Sequence, residues 1–338
     1  MNPKSIVNLF SILVLFFSLS YVFPIVVSIF YDDGALNLFT TTLIIVSATG
    51  VIGLFFTRNV KSELSQKDGF VIIALFWVVL SLAGSIPFSL SGMSFIDSLF
   101  ESMSGITTTG ATVISNIDGL PESLLFYRQL LQWMGGMGLI VLAIAVMPVL
   151  GIGGGQIYKT EVPGAMGDQR LTPRIEETAK ALWVIYFSLT VICGLLYYLN
   201  DMSGFDAVSH AMSTVAIGGF STHDESIGHF DSVSIEMICM LFMILSASSF
   251  ALHYFAINKK KPLKYLFDPE FRFFVSVLLL VFAIAMLVSI FSQSDGTPTF
   301  REVAFHSVST VTTTGFSITS SADWPFSISF LLLIGAFI

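Results

Sequence analysis

The sequence predicts an all-α polytopic membrane protein built from repeated helix, re-entrant loop, helix units. Three observations carry that prediction. Of the 338 residues, 54% are hydrophobic and only 11% are charged, whereas about 25% of an average soluble domain is charged. Apolar runs of about twenty residues, each long enough to cross a bilayer, recur along the chain. A short motif occurs three times, always between such runs: Ser104-Gly-Ile-Thr-Thr-Thr-Gly110-Ala-Thr112, Ser213-Thr-Val-Ala-Ile-Gly-Gly219-Phe-Ser221 and Ser309-Thr-Val-Thr-Thr-Thr-Gly315-Phe-Ser317.

Taken in order, the apolar runs cover 6–30, 36–57, 69–90, 124–149, 180–199, 234–257 and 272–291, and an eighth begins near Trp324. The first is too long for a signal peptide and lacks a small-residue cleavage site before Tyr31, Asp32 and Asp33, so it reads as a retained helix. The motifs divide the chain into an N-terminal two-helix hairpin (1–68), a first repeat (69–150), a cytoplasmic connector (151–179), a second repeat (180–264) and an incomplete third repeat (265–338). Placing the N-terminus inside puts Lys4, Arg58, Lys159, Lys180, Lys264 and Arg272 on the inner face and leaves only Arg128 and Arg301 outside, which is the positive-inside pattern. The outer face is acidic, which raises the local cation concentration. Cys193 and Cys239 both lie within spans and read as packing residues. The connector contains Gly153-Gly-Gly155, but no Lys-Ser follows as a P-loop would need. Lys259-Lys-Lys261 reads as an inner-face stop signal.

About a dozen residues separate the spans of each unit: Asp97 to Thr108, Asp206 to Ile217 and Glu302 to Thr313. These segments are too short to cross the bilayer and too apolar for ordinary loops. Each reads as a half-membrane helix, with its acidic residue in the first turn complementing the positive end of the helix dipole. The chain that follows must be extended, which at membrane depth is tolerated only where it lines a cavity or is buried in protein.

A dehydrated cation needs oxygens to replace its water, and backbone carbonyls supply them without adding charge. Turning neighbouring carbonyls the same way forces backbone angles that glycine adopts without steric cost. The units therefore read as potassium-channel type, arranged around a central pore. The candidate ion-binding positions are Thr108, Thr109, Gly110 and Ala111; Ile217, Gly218, Gly219 and Phe220; and Thr313, Thr314, Gly315 and Phe316. No HExxH or paired catalytic set lies within the spans, which argues against an intramembrane enzyme. A receptor or structural role leaves the threefold motif unexplained, and mid-span carboxylates of a proton relay are absent.

These motifs, together with Gln132-Trp-Met-Gly-Gly-Met-Gly138 and Lys159-Thr-Glu-Val-Pro-Gly164, resemble the membrane subunit of the TrkH/KtrB potassium-uptake systems, which is related to the plant HKT transporters. The N-terminal hairpin is more similar to the TrkH branch. The resemblance implies four channel-like units around one pore in a bacterial cytoplasmic membrane, pairing as a homodimer. It also implies a TrkA-like cytoplasmic subunit that binds NAD or ATP and controls the gate. Potassium would be the transported ion, with no covalently bound cofactor and no nucleic-acid partner. In such a family a filter glycine goes with potassium and a first-repeat serine with sodium, so Gly110, Gly219 and Gly315 favour potassium over sodium or mixed transport. The family has a fourth repeat and a gating break in the third, so the chain is expected to be a fragment ending near that break. Repeat two departs from the threonine pattern at Ala216, Ile217 and Gly218, which predicts a less symmetrical quadrant.

Individual residues carry further expectations. His210 and His306 stand nine residues before their glycines, where repeat one has Glu101, and are expected to brace the filter from behind. His223 and His229 read as surface residues, and His253 has no assigned role. Arg128 is expected to snorkel to headgroups at the outer interface.

Overall fold

A computed structural model describes residues 3–58, 66–146, 175–258, 263–292, 296–322 and 324–337. The glycine run of the connector, the Lys159–Gly164 stretch and Lys259-Lys-Lys261 lie outside the described residues. Among those described, the regular structure is helical. Among the described residues, five helical runs are long and apolar enough to span a bilayer: Pro3–Tyr31, Leu36–Thr57, Asp68–Leu90, Lys180–Tyr198 and Pro269–Phe291. The chain forms two compact units, Met1–Glu161 and Val162–Ile338.

The first unit contains α1 (Pro3–Ser18), α2 (Val22–Tyr31), α3 (Leu36–Thr57), α4 (Gln66–Gly84), α5 (Ile86–Leu90), α6 (Phe95–Ile106) and α7 (Glu122–Val146). The first span tightens into a 3-10 turn at Leu19–Tyr21, because Pro24 cannot donate to the carbonyl four residues earlier. Glycines let α3 lie close against α1: a Cβ at Gly53 would fall 2.1 Å from Ser11 Oγ, and one at Gly50 would fall 2.6 Å from Leu15 Cγ. Asn8 Nδ2 donates to Thr57 Oγ1 at 2.8 Å across the same pair.

The third span, expected over 69–90, runs from Asp68 to Leu90 with a one-residue interruption of the helix at Ser85. Pro87 has no N–H for the carbonyl of Ala83, and the Tyr21 hydroxyl donates to that oxygen instead at 2.8 Å. Tyr127 donates to the neighbouring Gly84 carbonyl at 2.9 Å. Both tyrosines are fully buried and pack with Phe39 and Phe88. Two aromatic hydroxyls thus satisfy carbonyls that hydrocarbon could not, and the Tyr21 bond joins the hairpin to the first repeat.

Asp33 ties the same elements on the loop side. It accepts from Ser123 N at 2.8 Å in the first turn of α7, from Ala35 N at 3.0 Å and from Ser28 Oγ at 2.5 Å. Burial alone would raise its carboxyl, but these hydrogen bonds outweigh burial and hold it below the ordinary 3.8. A depressed carboxyl stabilises the fold above its ordinary value, and that contribution is lost as the pH falls below it. Asp33→Ala should cost about 1 kcal/mol, the usual loss for a helix cap. Thermal unfolding in detergent, parent against variant at neutral pH, checks this; an unchanged midpoint would remove the capping role.

The second unit contains α8 (Ile175–Tyr198), α9 (Gly204–Val215), α10 (Val233–Ala247), α11 (Phe250–Asn258), α12 (Lys264–Phe267), α13 (Pro269–Phe291), α14 (Phe300–Val311) and α15 (Phe326–Gly335). The sixth span, expected to run unbroken over 234–257, is instead two helices. Ser248 is extended (φ −80°, ψ 151°), and its hydroxyl donates back to Ile244 O at 2.7 Å. Hydroxyl side chains compete with the helix ladder in this way. His253, given no role by its sequence, closes the break: its Nε2 donates to Leu245 O at 2.9 Å and its Nδ1 accepts from the Tyr265 hydroxyl at 2.5 Å. A carbonyl can only accept, which sets the imidazole tautomer.

Candidate ion-coordinating loops

The three short helices α6, α9 and α14, expected to be re-entrant, are twelve residues each. Each begins and ends two residues earlier than its sequence suggested. The reason at the start is a hydroxyl N-cap that the acidic residue alone did not reveal. Ser94, Ser203 and Thr299 accept from the backbone N–H of Asp97, Asp206 and Glu302. Their hydroxyls donate back to those carboxylates at 2.7, 2.7 and 2.8 Å. The signal was legible as Ser/Thr-x-x-Asp/Glu before an apolar run.

The helices also end alike. Thr109, Gly218 and Thr314 donate backbone N–H bonds to Ser104, Ser213 and Ser309 carbonyls at 2.9, 2.9 and 2.8 Å. Thr108, Ile217 and Thr313 donate to Gly105, Thr214 and Thr310 at 3.0, 3.0 and 2.9 Å. This is a Schellman ending, which requires a left-handed residue just past the helix. Glycine usually fills that position, but here the residues are Thr108, Ile217 and Thr313, with φ of 55°, 48° and 59°. A β-branched residue is a genuine outlier there, and such strain costs about 1–3 kcal/mol per site. The motif serine thus marks the carbonyl that ends each helix.

Two residues on, Gly110, Gly219 and Gly315 return to positive φ (77°, 80° and 86°), while the residue between stays negative. The backbone therefore alternates in hand through all three motifs. The missing hydroxyls of repeat two do not alter this path. They remove only a latch: Thr107 Oγ1 bonds Thr109 Oγ1, and Thr312 Oγ1 bonds Thr314 Oγ1, each at 2.8 Å. Within the second unit the two motif loops touch, and a Cβ on Gly219 would lie 1.9 Å from the Thr314 carbonyl oxygen. Phe220 and Phe316 turn their rings inward, each 1% exposed. The Phe316 carbonyl accepts from Ser309 Oγ at 2.7 Å, whereas Ala111 lies at the surface of its unit.

Behind the loops, equivalent positions do equivalent work with different chemistry. In repeat one Glu101 accepts from Thr112 Oγ1 at 2.9 Å and Val113 N at 3.3 Å. In repeat two His210 Nε2 bonds Ser221 Oγ at 2.9 Å, and its Nδ1 pairs with Asp206 O at 3.0 Å. His306 departs from the expected hydrogen-bonded brace: its ring packs edge-on against Trp324 at 4.7 Å, and its buried Nε2 has no hydrogen-bond partner among the described residues. Arg128 corrects the snorkelling expectation. Its side chain is 0% exposed, and its Nε donates to Glu101 Oε1 at 2.8 Å. Burying one carboxylate behind the loop required a cation to accompany it, and no linear spacing announces a pair 27 residues apart. The neighbouring glycine motif is explained by contact as well, since a Cβ on Gly135 of α7 would fall 2.0 Å from Ile106 O at the end of α6.

The chain was compared with known proteins. A family model described as TrkH, cation transport protein, matches residues 35–338. The Trk system potassium uptake protein TrkH of Halomonas elongata is 48% identical over 345 residues, covering 100% of this chain and 71% of that protein. The protein of the same name from Escherichia coli K12 is 44% identical over 343 residues, again covering 100% of this chain and 71% of its own length. The crystal structure of the potassium transporter TrkH from Vibrio parahaemolyticus superposes with a TM-score of 0.86 at 44% identity, covering 100% of this chain and 70% of that one. With its helices, its three motif loops and this length of match together, the chain belongs to the TrkH family of cation transport proteins.

Proposed function

We propose that this chain takes part in potassium uptake across a bacterial cytoplasmic membrane, its N-terminus on the inner side. In this reading the loops Thr108–Ala111, Ile217–Phe220 and Thr313–Phe316 supply backbone carbonyls to a selectivity filter. The observation that carries the reading is the alternation of backbone hand at the same two positions of every motif. A regular strand points successive carbonyls to opposite faces, whereas a chain alternating in hand brings them to one face. Carbonyls so gathered replace the hydration shell of a dehydrated cation. Relatives named as potassium uptake proteins support potassium as the ion. The same relatives are named for a Trk system, which favours a separate TrkA-like nucleotide-binding regulator on the inner face; a homodimeric assembly is part of the same proposal. The five-part division of the chain at 68, 150, 179 and 264 belongs to this proposal, each repeat supplying one span–loop–span quadrant.

The test is cation uptake in cells lacking their own potassium uptake, grown at limiting potassium. The chain is expressed at the full length of its relatives, with a Trk regulator supplied and Gly110→Ser alongside. Rescue by the parent is expected, with the potassium-over-sodium preference reduced in Gly110→Ser. No rescue despite confirmed membrane expression would overturn the potassium reading, and equal selectivity in the two would remove Gly110 from the filter.

A further inference from the structure

The three motif loops are not held in the same way. In repeats one and two the residue behind the loop reaches a hydroxyl eleven residues on: Glu101 accepts from Thr112 Oγ1 at 2.9 Å, and His210 Nε2 bonds Ser221 Oγ at 2.9 Å. Each of these loops is thus tied to its own short helix. The same spacing in repeat three joins His306 to Ser317, but His306 Nε2 has no hydrogen-bond partner among the described residues. Ser317 turns its backbone to repeat two instead. Gly228 N donates to Ser317 O at 3.1 Å, and Ser317 N donates to Ser226 Oγ at 3.3 Å.

Both partners lie on the 3-10 turn Ser226–Phe230, between the second motif and α10. The backbones also pass closely, since a Cβ on Gly228 would fall 2.5 Å from Ile318 O and 2.9 Å from Ile318 C. Ser226 is left-handed, with φ of 56°, which is uncommon for a residue other than glycine. Its hydroxyl serves there in a way that glycine could not. The same segment grips repeat three at a second point. Arg301, in the first turn of α14, donates from Nε to Glu236 Oε2 at 2.7 Å and from Nη2 to Glu236 Oε1 at 2.6 Å. Nη2 also reaches Asp231 Oδ1 at 3.3 Å. The Glu236 side chain is 2% exposed, so a two-point fork accompanies a buried carboxylate. A cation in the first turn opposes the helix dipole, so Arg301 does not serve the helix that carries it.

We propose that the segment Ser226–Glu236 is a clasp that sets the position of the third motif loop, with Ser226, Gly228 and Arg301 as positioning residues for cation selectivity. It holds the start of α14 through Arg301 and the exit of the loop through Ser317, and Thr313–Phe316 lie between the two grips. A carbonyl filter discriminates through the number and placement of its oxygens, so a loop released at its exit discriminates less. The selectivity half rests on the potassium reading; the clasp itself does not.

The experiment uses the chain at the full length of its relatives, first by amide hydrogen exchange in lipid nanodiscs. Ser226→Gly removes the hydroxyl from a backbone position that glycine accepts freely, so the turn keeps its shape. Gly228→Ala drives a Cβ into the Ile318 backbone. Each should speed exchange in the peptide containing Ser317 by about fivefold, the equilibrium worth of one hydrogen bond, with the peptide containing Val113 unchanged. Exchange at Ser317 unchanged in both variants would overturn the clasp. Uptake is then measured in cells lacking their own potassium uptake, where the preference for potassium over sodium should fall in both variants. Arg301→Gln combined with Glu236→Gln, which strands no charge, should shift the preference the same way; an unchanged preference removes Arg301 from the clasp. A role in stability alone would lower the uptake of both ions equally, and that result would overturn the selectivity half. A parent that transports no potassium while Ser226→Gly still speeds exchange at Ser317 would count against the potassium reading and not against the clasp.

Discussion

Gly219→Ala is expected to abolish potassium uptake and to lower the unfolding temperature, whereas Gly315→Ala lowers stability much less. Both glycines sit at positive φ, 80° and 86°, so alanine at either pays left-handed strain of about 1–3 kcal/mol. Only Gly219 also faces a backbone atom. Its new Cβ would lie 1.9 Å from Thr314 O and 3.0 Å from Thr314 C, while nothing among the described residues lies within 4 Å of the one at Gly315. Neither partner is a flexible side-chain end, so the third motif loop itself must move. Overpacking of this kind typically adds about 1–3 kcal/mol, and here it displaces a carbonyl assigned to the ion path. Thermal unfolding and uptake measured on both variants separate the effects. Equal losses at the two positions would show that strain alone matters and that the close approach of the loops does not.

Arg128→Met should destabilise the protein by about 3–5 kcal/mol, the cost of leaving one member of a buried ion pair without the other. Both side chains are 0% exposed. The stranded partner is Glu101, whose oxygens hold Thr112 and Val113 two and three residues past the motif glycine Gly110. The pair therefore positions a loop as well as stabilising a core. Replacing both with methionine should recover much of the stability, because well-packed apolar groups often match a buried pair. It should not recover uptake, because nothing then holds the loop from behind. Measuring melting and transport on the single and double variants decides the point. A loss below about 1 kcal/mol in Arg128→Met would be the behaviour of a surface pair and would contradict the burial.

Much of this architecture was readable before any coordinates. Mean composition and apolar run length fix a membrane environment, and the aligned serine, glycine and acidic residue of each motif locate a short helix and a strained turn. The glycines at positive φ follow directly, because no other residue takes that conformation freely. Helix starts were misplaced by two residues, although Ser94, Ser203 and Thr299 were visible at capping spacing. The break at Ser248 was also hidden, since an apolar run with small hydroxyl residues reads equally well as one span.

What the sequence determined by itself is local and repetitive: where the chain must be helical, where it must turn, and which three turns are copies of one another. These follow from hydrophobicity, capping and backbone sterics within a dozen residues. What only the tertiary structure decided is partnership at a distance. Arg128 finds Glu101, the Tyr21 hydroxyl finds the carbonyl that Pro87 left open, His253 finds that of Leu245, and Gly219 meets Thr314. Each pairing exists because a polar group removed from water must find a partner, or because two backbones must pass closely. Neither requirement sets the sequence separation at which it is met.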